Sequence, residues 1–352
     1  MKTIQLTLLA LLICFVSCKP ERKIDEEKST PTNRSVKKTS GKKINSKEQL
    51  LTAWQEKPKN RIIDWINVVT DSTSKDFIPI KDRIAVFDND GTLWPEQPVP
   101  TQLLYMLDYL KKEYPNKPEW QNDEVISAAV KGNYAPLKEQ GTKGLIDMMN
   151  KSYNKMSEEK YRESVAQWID TTTTNKFKKT YKEVVYLPML QLLDYLRANQ
   201  FKTYIVSGGG ADFMRVWAEE VYKIPPYQVI GSYGDVEYKV VDGSPVVYKM
   251  TGDIFFDDKT GKPEAIHRFI GKKPVFCGGN SDGDQAMMQY TSSSNYKTMC
   301  VILHHTDSER EYAYDTKTLS GHLETALEEA KEKDWLVVDM KNDFKQIFSF
   351  QN

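Results

Sequence analysis

Two carboxylates placed two residues apart carry the first chemical signal in the chain. Asp88 ends a short apolar run, Ile84–Asp88, and Asp90 follows it. The run predicts a buried strand, and the two-residue period of a strand turns both side chains to one side. Carboxylates this close repel one another unless a cation lies between them or one keeps its proton. A Mg²⁺ ion on Asp88 and a proton on Asp90 would both suit phosphoryl transfer.

The residues that follow the acid pair are suited to binding an anion. Gly91 lets the backbone turn sharply, and Thr92 offers a backbone N–H and a hydroxyl. An acid that ends a strand of a parallel sheet lies at the carboxyl edge, where such sheets usually bind ligands. The strand must therefore position the acids, and the turn must position the donors.

A second candidate site segment is the run Ser207-Gly208-Gly209-Gly210, which follows a predicted strand at Thr203–Val206. The glycines precede a predicted helix over Asp212–Tyr222. A hydroxyl at a strand end, with glycines opening a helix, is typical of phosphate binding, because the backbone can approach an anion closely. We predict that Ser207 and Gly208 contact a phosphate.

Two further segments follow. Lys262 lies at the start of a predicted helix. After the predicted strand Pro274–Cys277 comes an Asp- and Gly-rich turn, Gly279–Asp284.

In this order, the four segments resemble the four motifs of the haloacid dehalogenase superfamily over roughly Arg83 to Asp343. The D-x-D form of the first motif is that of the superfamily's phosphatases. The resemblance implies that Asp88 is the nucleophile and Asp90 the general acid and base. It also implies one phosphate-binding set and one Mg²⁺-binding set: Thr92, Ser207, Gly208 and Lys262 for phosphate, and Asp88, Asp90, Asn280, Asp282 and Asp284 for the metal. The third motif of the family is a lysine that would offset negative charge on the phosphoryl oxygens; Lys249 and Lys259 are the alternatives to Lys262 for this role.

The fourth motif departs from the family pattern Gly-Asp-x-x-x-Asp. Aligned on Gly279, Asn280 takes the place of the first acid, and Asp284 that of the second. The first acid is normally a direct metal ligand, whereas an asparagine binds a hard cation through a neutral oxygen. Either Asp282 or Asp284 makes up the missing charge, or the metal affinity is lower.

The resemblance implies an α/β fold, a Rossmann-like doubly wound and mainly parallel sheet with an inserted all-helical cap. Apolar residues at helical intervals over about 100–182 support such an insert. We predict a phosphatase core from 48–95 and 186–352, and a helical cap from 96–185. A hairpin predicted around Asp242-Gly243 is either a flap near the site or an edge feature.

The N-terminus predicts an exported protein. Residues 1–17 have the form of a signal peptide, and Cys18 follows a lipoprotein-like cleavage box. Residues 18–47 are polar and predict a flexible tether. We expect a bacterial cell-envelope protein held on the membrane by lipid on Cys18; an ordinary secretory signal with a chance cysteine is the alternative.

The sequence thus predicts a Mg²⁺-dependent phosphatase acting on a small-molecule phosphomonoester. The alternatives are a phosphotransferase of the same superfamily and a non-catalytic lipoprotein that binds a phosphorylated ligand, which Asn280 alone favours. The 352 residues carry no formal net charge, so nothing indicates a nucleic-acid partner.

Overall fold

The computed structural model describes residues 51–318 and 320–351, which form one compact unit. The predicted signal peptide, the lipidation site Cys18, the tether and the first three residues of the predicted core, 48–50, lie outside the described residues. None of the helices in the described ranges has the length and apolar character that a membrane span requires.

A seven-stranded sheet lies at the centre, in the order β4-β3-β2-β1-β5-β6-β7. Every neighbouring pair is parallel except β3 and β4, which are antiparallel. The predicted α/β class with a mainly parallel sheet is confirmed. The strands are β1 (Ile84–Phe87), β2 (Lys202–Gly210), β3 (Val229–Val241), β4 (Ser244–Phe255), β5 (Phe276–Gly279), β6 (Met299–His304) and β7 (Leu336–Asp339).

Thirteen α-helices accompany the sheet in the described part of the chain. They are α1 (Glu56–Thr70), α2 (Thr101–Glu113), α3 (Pro118–Gln121), α4 (Glu124–Val130), α5 (Ala135–Tyr153), α6 (Glu158–Thr171), α7 (Leu187–Ala198), α8 (Ala211–Met214), α9 (Ala218–Tyr222), α10 (Gly261–Phe269), α11 (Gln285–Ser292), α12 (Thr325–Lys333) and α13 (Met340–Asp343). Helices α2 to α6 all fall between β1 and β2, where the sequence predicted a helical insert.

Strand β1 is central because both of its faces are apolar. Ala85 and Phe87 belong to the hydrophobic cluster on one face of the sheet, and Ile84 and Val86 belong to the cluster on the other. A strand covered on both faces reads as a continuous apolar run, as this one does. Its end therefore delivers Asp88 to the carboxyl edge of the sheet.

The glycine-rich segment differs from its prediction. Strand β2 continues through the glycines to Gly210 because its backbone still pairs with β3, with Ser207 opposite Gly231 and Gly210 opposite Ser232. The single helix predicted over Asp212–Tyr222 is instead the two short helices α8 and α9. The phosphate-binding hypothesis therefore rests on a strand end and its backbone, without a long helix behind it.

The predicted hairpin is confirmed and is longer than expected. Asp242 and Gly243 form its turn with φ of 50° and 80°, values that favour this dipeptide. Strand β4 lies against the helical insert: the Lys155 N–H donates to the Lys249 carbonyl at 2.7 Å, and the Lys249 N–H donates to the Met156 carbonyl at 2.9 Å. The hairpin is therefore attached to the insert.

Candidate active site

The acid pair lies just beyond β1 in a tight turn. Asp88 is buried, and its backbone N–H donates to the Gly278 carbonyl of β5 at 3.0 Å. Asp90 is partly exposed, and its Oδ1 accepts a hydrogen bond from Trp94 Nε1 at 2.8 Å. Gly91 adopts φ of 76°, which permits the reversal between them and Trp94. The turn therefore fixes the rotamer of Asp90 while leaving its other oxygen, Oδ2, available.

Lys262 is the lysine that the structure brings to this pair. Its Nζ donates to Asp88 Oδ1 at 2.7 Å, to Asp284 Oδ1 at 2.6 Å and to the Val206 carbonyl at 3.0 Å. Of the alternatives, Lys259 is exposed, and Lys249 pairs with Asp212 at 2.6 Å. Lys262 is the second residue of α10, so the start of this helix places the ammonium between Asp88, which follows β1, and the Val206 carbonyl of β2.

The end of β2 faces Asp90. A Cβ atom placed on Gly209 would lie 3.5 Å from both Asp90 Oδ2 and Ser207 Oγ, so these three positions surround one small space. Ser207 is buried, and its Oγ accepts a hydrogen bond from the Gly209 N–H at 3.2 Å. The N–H of Gly210 donates to Gln102 Oε1 of α2 at 2.6 Å. The helical insert thus contacts the glycine-rich strand end directly.

Gly208, the neighbouring predicted phosphate contact, lies on the opposite side of the strand. Its Cβ position faces the side chain of Asp258 at 3.7 Å, and its carbonyl accepts from Ser232 Oγ at 2.8 Å. Gly208 can therefore contribute to the small space through its backbone alone.

Asp284, in the fourth motif, lies in the site and pairs with the same Lys262 ammonium as Asp88. Its other oxygen, Oδ2, accepts from the backbone N–H groups of Asn280 at 2.9 Å and Ser281 at 3.1 Å. Both oxygens of Asp284 are therefore engaged. Asp284 therefore positions both the lysine and the turn, and its role as a metal ligand stays a prediction.

Asp282, another predicted metal ligand of this turn, caps a helix in the structure. Its carboxylate accepts from the backbone N–H groups of Glu324 at 3.0 Å, Thr325 at 3.2 Å and Ala326 at 3.0 Å, at the start of α12. Orphan N–H groups at a helix start attract a carboxylate in this way. Spacing in the sequence could not distinguish this capping role from metal binding.

Thr92 also differs from its prediction. Its side chain is fully buried, and its hydroxyl donates to Asn280 Oδ1 at 3.0 Å. Asn280 Nδ2 in turn donates to Glu96 Oε1 at 2.6 Å. The Thr92 hydroxyl therefore links the first motif to the fourth, and its proton is donated to Asn280.

Sequence analysis missed two buried acids, Glu96 and Asp257. Glu96 lies in the break after the first motif, where no periodic pattern indicates a role. Neither carboxylate oxygen of Asp257 has a hydrogen-bond partner in the described ranges, although the side chain is wholly buried. In the sequence, Asp257 lies between β4 and Lys262, and this position was the available signal for its place in the site.

The site carries more carboxylate than cation. Burial raises the pKa of Asp88 to about 8 although Lys262 opposes the shift, and burial raises the pKa of Asp90 to about 6 and that of Asp257 to about 7. Burial also raises the pKa of Glu96 well above its usual value, and the charges of Asp90 and Asp88 add to this effect. Burial opposes the charge on Lys262, but Asp284 and Asp88 outweigh it and raise the pKa of the lysine. One ammonium cannot neutralise all of these groups.

A divalent cation would relieve this crowding of buried carboxyl groups. The Asp88 carboxylate, the Asp90 carbonyl and the second lone pair of Asn280 Oδ1 are hard oxygen donors of the kind that Mg²⁺ prefers, and Mg²⁺ keeps several waters. Within residues 51–318 and 320–351, no group of three His, Cys, Asp or Glu side chains is arranged to hold an ion. A metal here would therefore need backbone and amide oxygens as well as Asp88.

A buried histidine, His305, contacts the backbone of the turn that follows the acid pair. His305 Nε2 lies 2.7 Å from the Gly91 carbonyl, and its Nδ1 lies 3.1 Å from Glu311 Oε2. A carbonyl only accepts, so Nε2 carries a proton. Tyr186 donates to the other oxygen of Glu311 at 3.0 Å. His305 thus positions the backbone next to Asp90 and does not contact the acids themselves.

The fold is an α/β domain whose mainly parallel sheet carries an acid pair beyond its central strand and a buried lysine in contact with the first of these acids. The sequence model of the haloacid dehalogenase-like hydrolases matches residues 85–289, which is more than half of the chain. The chain belongs to this family. No curated protein matches the sequence.

Several solved structures resemble the fold at low sequence identity. A conserved protein of unknown function from Anaerococcus prevotii is 16% identical with a TM-score of 0.49, covering 80% of this chain and 90% of its own. A phosphoserine phosphohydrolase-like protein from Francisella tularensis is 13% identical with a TM-score of 0.36, covering 71% and 98%. A phosphoserine phosphatase carrying a phospho-aspartyl intermediate analogue is 14% identical with a TM-score of 0.31, covering 63% and 86%.

Proposed function

We propose that the protein is a Mg²⁺-dependent phosphatase that hydrolyses a small phosphomonoester through an aspartyl-phosphate on Asp88. One observation carries the proposal: Asp90 Oδ2 and Ser207 Oγ surround one space beside Gly209, at the strand end whose Val206 carbonyl binds the ammonium that also holds Asp88. The family membership supports a hydrolase. Of the reactions that hydrolases catalyse, this arrangement favours the transfer of a phosphoryl group to water.

In the first step, a carboxylate oxygen of Asp88 attacks phosphorus, and the bond from phosphorus to the ester oxygen breaks. Asp90 donates its proton to that leaving oxygen, so the product departs as a neutral alcohol. A pKa near 6 suits this role, because Asp90 can then both hold and release a proton near neutral pH.

In the second step, a water molecule attacks the phosphorus of the aspartyl-phosphate. Asp90, now ionised, takes a proton from this water, and Asp88 leaves as a carboxylate. Inorganic phosphate is the second product. Ser207, the ammonium of Lys262 and nearby backbone N–H groups bind the phosphoryl oxygens and oppose their growing charge.

The Asp88 carboxylate, the Asp90 carbonyl and the Asn280 amide oxygen would hold the Mg²⁺ ion. When bound, the ion supplies positive charge that keeps Asp88 ionised and reduces its repulsion from the substrate phosphate. Lys262 alone is insufficient for this, since it is shared with Asp284.

The test is steady-state hydrolysis of p-nitrophenyl phosphate with and without Mg²⁺, monitored as release of both nitrophenolate and phosphate. We expect turnover that EDTA abolishes and that Asp88→Asn lowers at least about a thousandfold. Asp82→Asn is the matched control, since Asp82 precedes β1 at the other end of the strand and pairs with Lys272. Full activity in Asp88→Asn would refute the proposal.

We also propose that residues 96–185 act as a cap over a core formed by 48–95 and 186–352. The contact between Gln102 and Gly210, and the attachment of the β3–β4 hairpin to the insert, support a lid that excludes water from the site. Gln102→Ala is expected to raise KM more than it lowers kcat. An unchanged KM would count against the cap.

The proposed location is the bacterial cell envelope, with lipid on Cys18 as the membrane anchor. This proposal rests on the sequence of residues 1–47. Incorporation of labelled fatty acid into the full-length chain, and its loss in Cys18→Ser, would test it. An unlabelled but exported wild-type chain would favour an ordinary secretory signal.

A further inference from the structure

The hairpin of β3 and β4 has one edge that no other strand covers. Within the described ranges, β2 pairs with β3 only as far as Ser232, so residues 236–241 of β3 have β4 as their one strand partner. The outer edge of β4 is different, because the backbone of Lys249 bonds to the helical insert there. Pro245 also lacks the N–H that a further strand on β4 would need. The uncovered edge of the hairpin is therefore that of β3.

The register of the hairpin shows which backbone groups point to this edge. The residues that flank its two-residue turn form a hydrogen-bonded pair, and such pairs alternate with non-hydrogen-bonded pairs along an antiparallel ladder. Val236, Tyr238 and Val240 fall in the non-hydrogen-bonded pairs, so their N–H and C=O groups point away from β4. The backbone bonds of Lys249, which lies opposite Val236, agree with this alternation because they too point outwards.

The side chains along this edge are apolar on one face and charged on the other. Val236, Tyr238 and Val240 share one face and are 60%, 66% and 61% exposed. Glu237 and Lys239 share the opposite face, where their charged groups lie 2.9 Å apart. An uncovered strand edge that carries β-branched and aromatic side chains is a template for pairing with another chain.

The order of residues along this edge is complementary to itself when the direction is reversed. In an antiparallel pair of two copies centred on Tyr238, Val236 of each copy lies opposite Val240 of the other. Glu237 of each copy then lies opposite Lys239 of the other, so both charged pairs join an acid to a base. Opposite charges placed in this way stabilise a sheet, and apolar pairs do the same on the other face.

The neighbouring registers lose this match. If the centre of the pair moves to Glu237, two carboxylates lie opposite each other across the two-fold axis. If it moves to Lys239, two ammonium groups do so. Like charges directly opposite each other destabilise a strand pair. The charge pattern therefore selects the register centred on Tyr238.

We propose that the protein associates with a second copy of itself through β3, as an antiparallel and two-fold symmetric strand pair centred on Tyr238. The outward N–H and C=O groups of three residues in each copy would then bond across the axis, and the two hairpins would form one four-stranded sheet. A strand pair is small beside the roughly 1,200–2,000 Å² of a stable interface, so the dimer should be weak and reversible. This inference does not depend on the proposed function.

The test is sedimentation equilibrium of the purified protein at concentrations up to about 200 μM. We expect the wild type to show a reversible equilibrium between monomer and dimer. Lys239→Glu places acids opposite acids, and Glu237→Lys places bases opposite bases, so each variant alone should associate at least about tenfold more weakly. Both side chains are roughly half-exposed, so these changes should leave the fold intact.

The two variants together provide the decisive comparison. When Lys239→Glu is mixed with Glu237→Lys, every charged pair again joins opposite charges, so the mixture should form a heterodimer. The double variant that carries both changes should dimerise with an affinity within about threefold of the wild type. Lys57→Glu is the control, since it makes the same change of charge at an exposed lysine on α1.

Other outcomes would overturn the proposal. A wild type that remains monomeric over this range of concentration would do so, as would equal association of the wild type and Lys239→Glu. A mixture without heterodimer would show that the charges do not face each other. A monomeric wild type that sediments with phosphatidylglycerol vesicles, and loses this binding in Tyr238→Ser, would assign the apolar face to a membrane surface instead.

Discussion

The Nζ atom of Lys262 lies 2.7 Å from Oδ1 of Asp88, although the two residues are 174 positions apart in the chain. The same ammonium binds Asp284 at 2.6 Å, and all three side chains are buried. This shared ammonium joins the first, third and fourth motifs, so both the stability and the chemistry of the site depend on it.

Lys262→Met should destabilise the metal-free protein by about 3–5 kcal/mol, because it leaves two buried carboxylates without their cation. The measurement is urea unfolding at neutral pH. Lys272→Met is the control: Lys272 is half-exposed and pairs with Asp82 at the surface, where such pairs contribute about 0–1 kcal/mol. Equal stability of the two variants would mean that the buried triad contributes nothing.

Asp257→Asn should stabilise the protein, and the gain should depend on pH. Burial raises the pKa of Asp257 in the folded protein to about 7, whereas an aspartate in the unfolded chain has a pKa of about 4. The folded state therefore holds the proton more tightly, and the wild type loses stability as the pH rises from about 4 to 7. The variant avoids this loss. The difference should be absent near pH 4 and reach roughly 2–4 kcal/mol above pH 7.

Denaturant unfolding at several pH values in EDTA measures this difference. Asp258→Asn is the control, since Asp258 is the adjacent acid and is partly exposed. A pH-independent gain, or a gain confined to acid pH, would contradict the assignment of a buried, protonated carboxyl group to Asp257.

Asp90→Asn should separate the two halves of the reaction. An alkyl phosphate needs a proton on its poor leaving group, so its turnover should fall about 10²–10⁴-fold. With p-nitrophenyl phosphate the leaving group needs little help, and a burst of one nitrophenolate per enzyme should precede slow release of phosphate. Rapid-mixing absorbance measures the burst. Equal losses on both substrates, with no burst, would deny Asp90 its proposed role.

Gly209→Ala should leave the fold intact and impair substrate binding. The added methyl group would make ordinary contacts of 3.5 Å with Asp90 and Ser207, but it would fill the space proposed for the phosphate. We expect unfolding free energy within about 1 kcal/mol of the wild type and kcat/KM lowered up to about 100-fold. Gly234→Ala is the control, since its nearest contact is also 3.5 Å, to Ile254 in the hairpin. Unchanged kcat/KM in Gly209→Ala would place the phosphate elsewhere.

Several elements could be predicted because their signals are local. The apolar run before Asp88 gave β1, and the Asp242-Gly243 turn gave the hairpin. The prediction failed where long-range pairing prevailed over local pattern. Glycines after Ser207 suggested the start of a helix, but pairing with β3 keeps that segment extended to Gly210.

The family resemblance singled out Lys262 at the start of a helix. The sequence by itself determined which residues end or follow predicted strands, and so it located Asp88, Asp90 and Ser207 as candidates. Order along the chain and hydrophobic pattern are sufficient for that, since parallel strands bring their carboxyl ends to one edge. Only the tertiary structure decided the partners of each side chain: Asp282 caps α12, Thr92 binds Asn280, and Glu96 lies beside Asn280. Side-chain direction depends on packing between segments that are distant in the chain, and spacing along the chain carries no information about it.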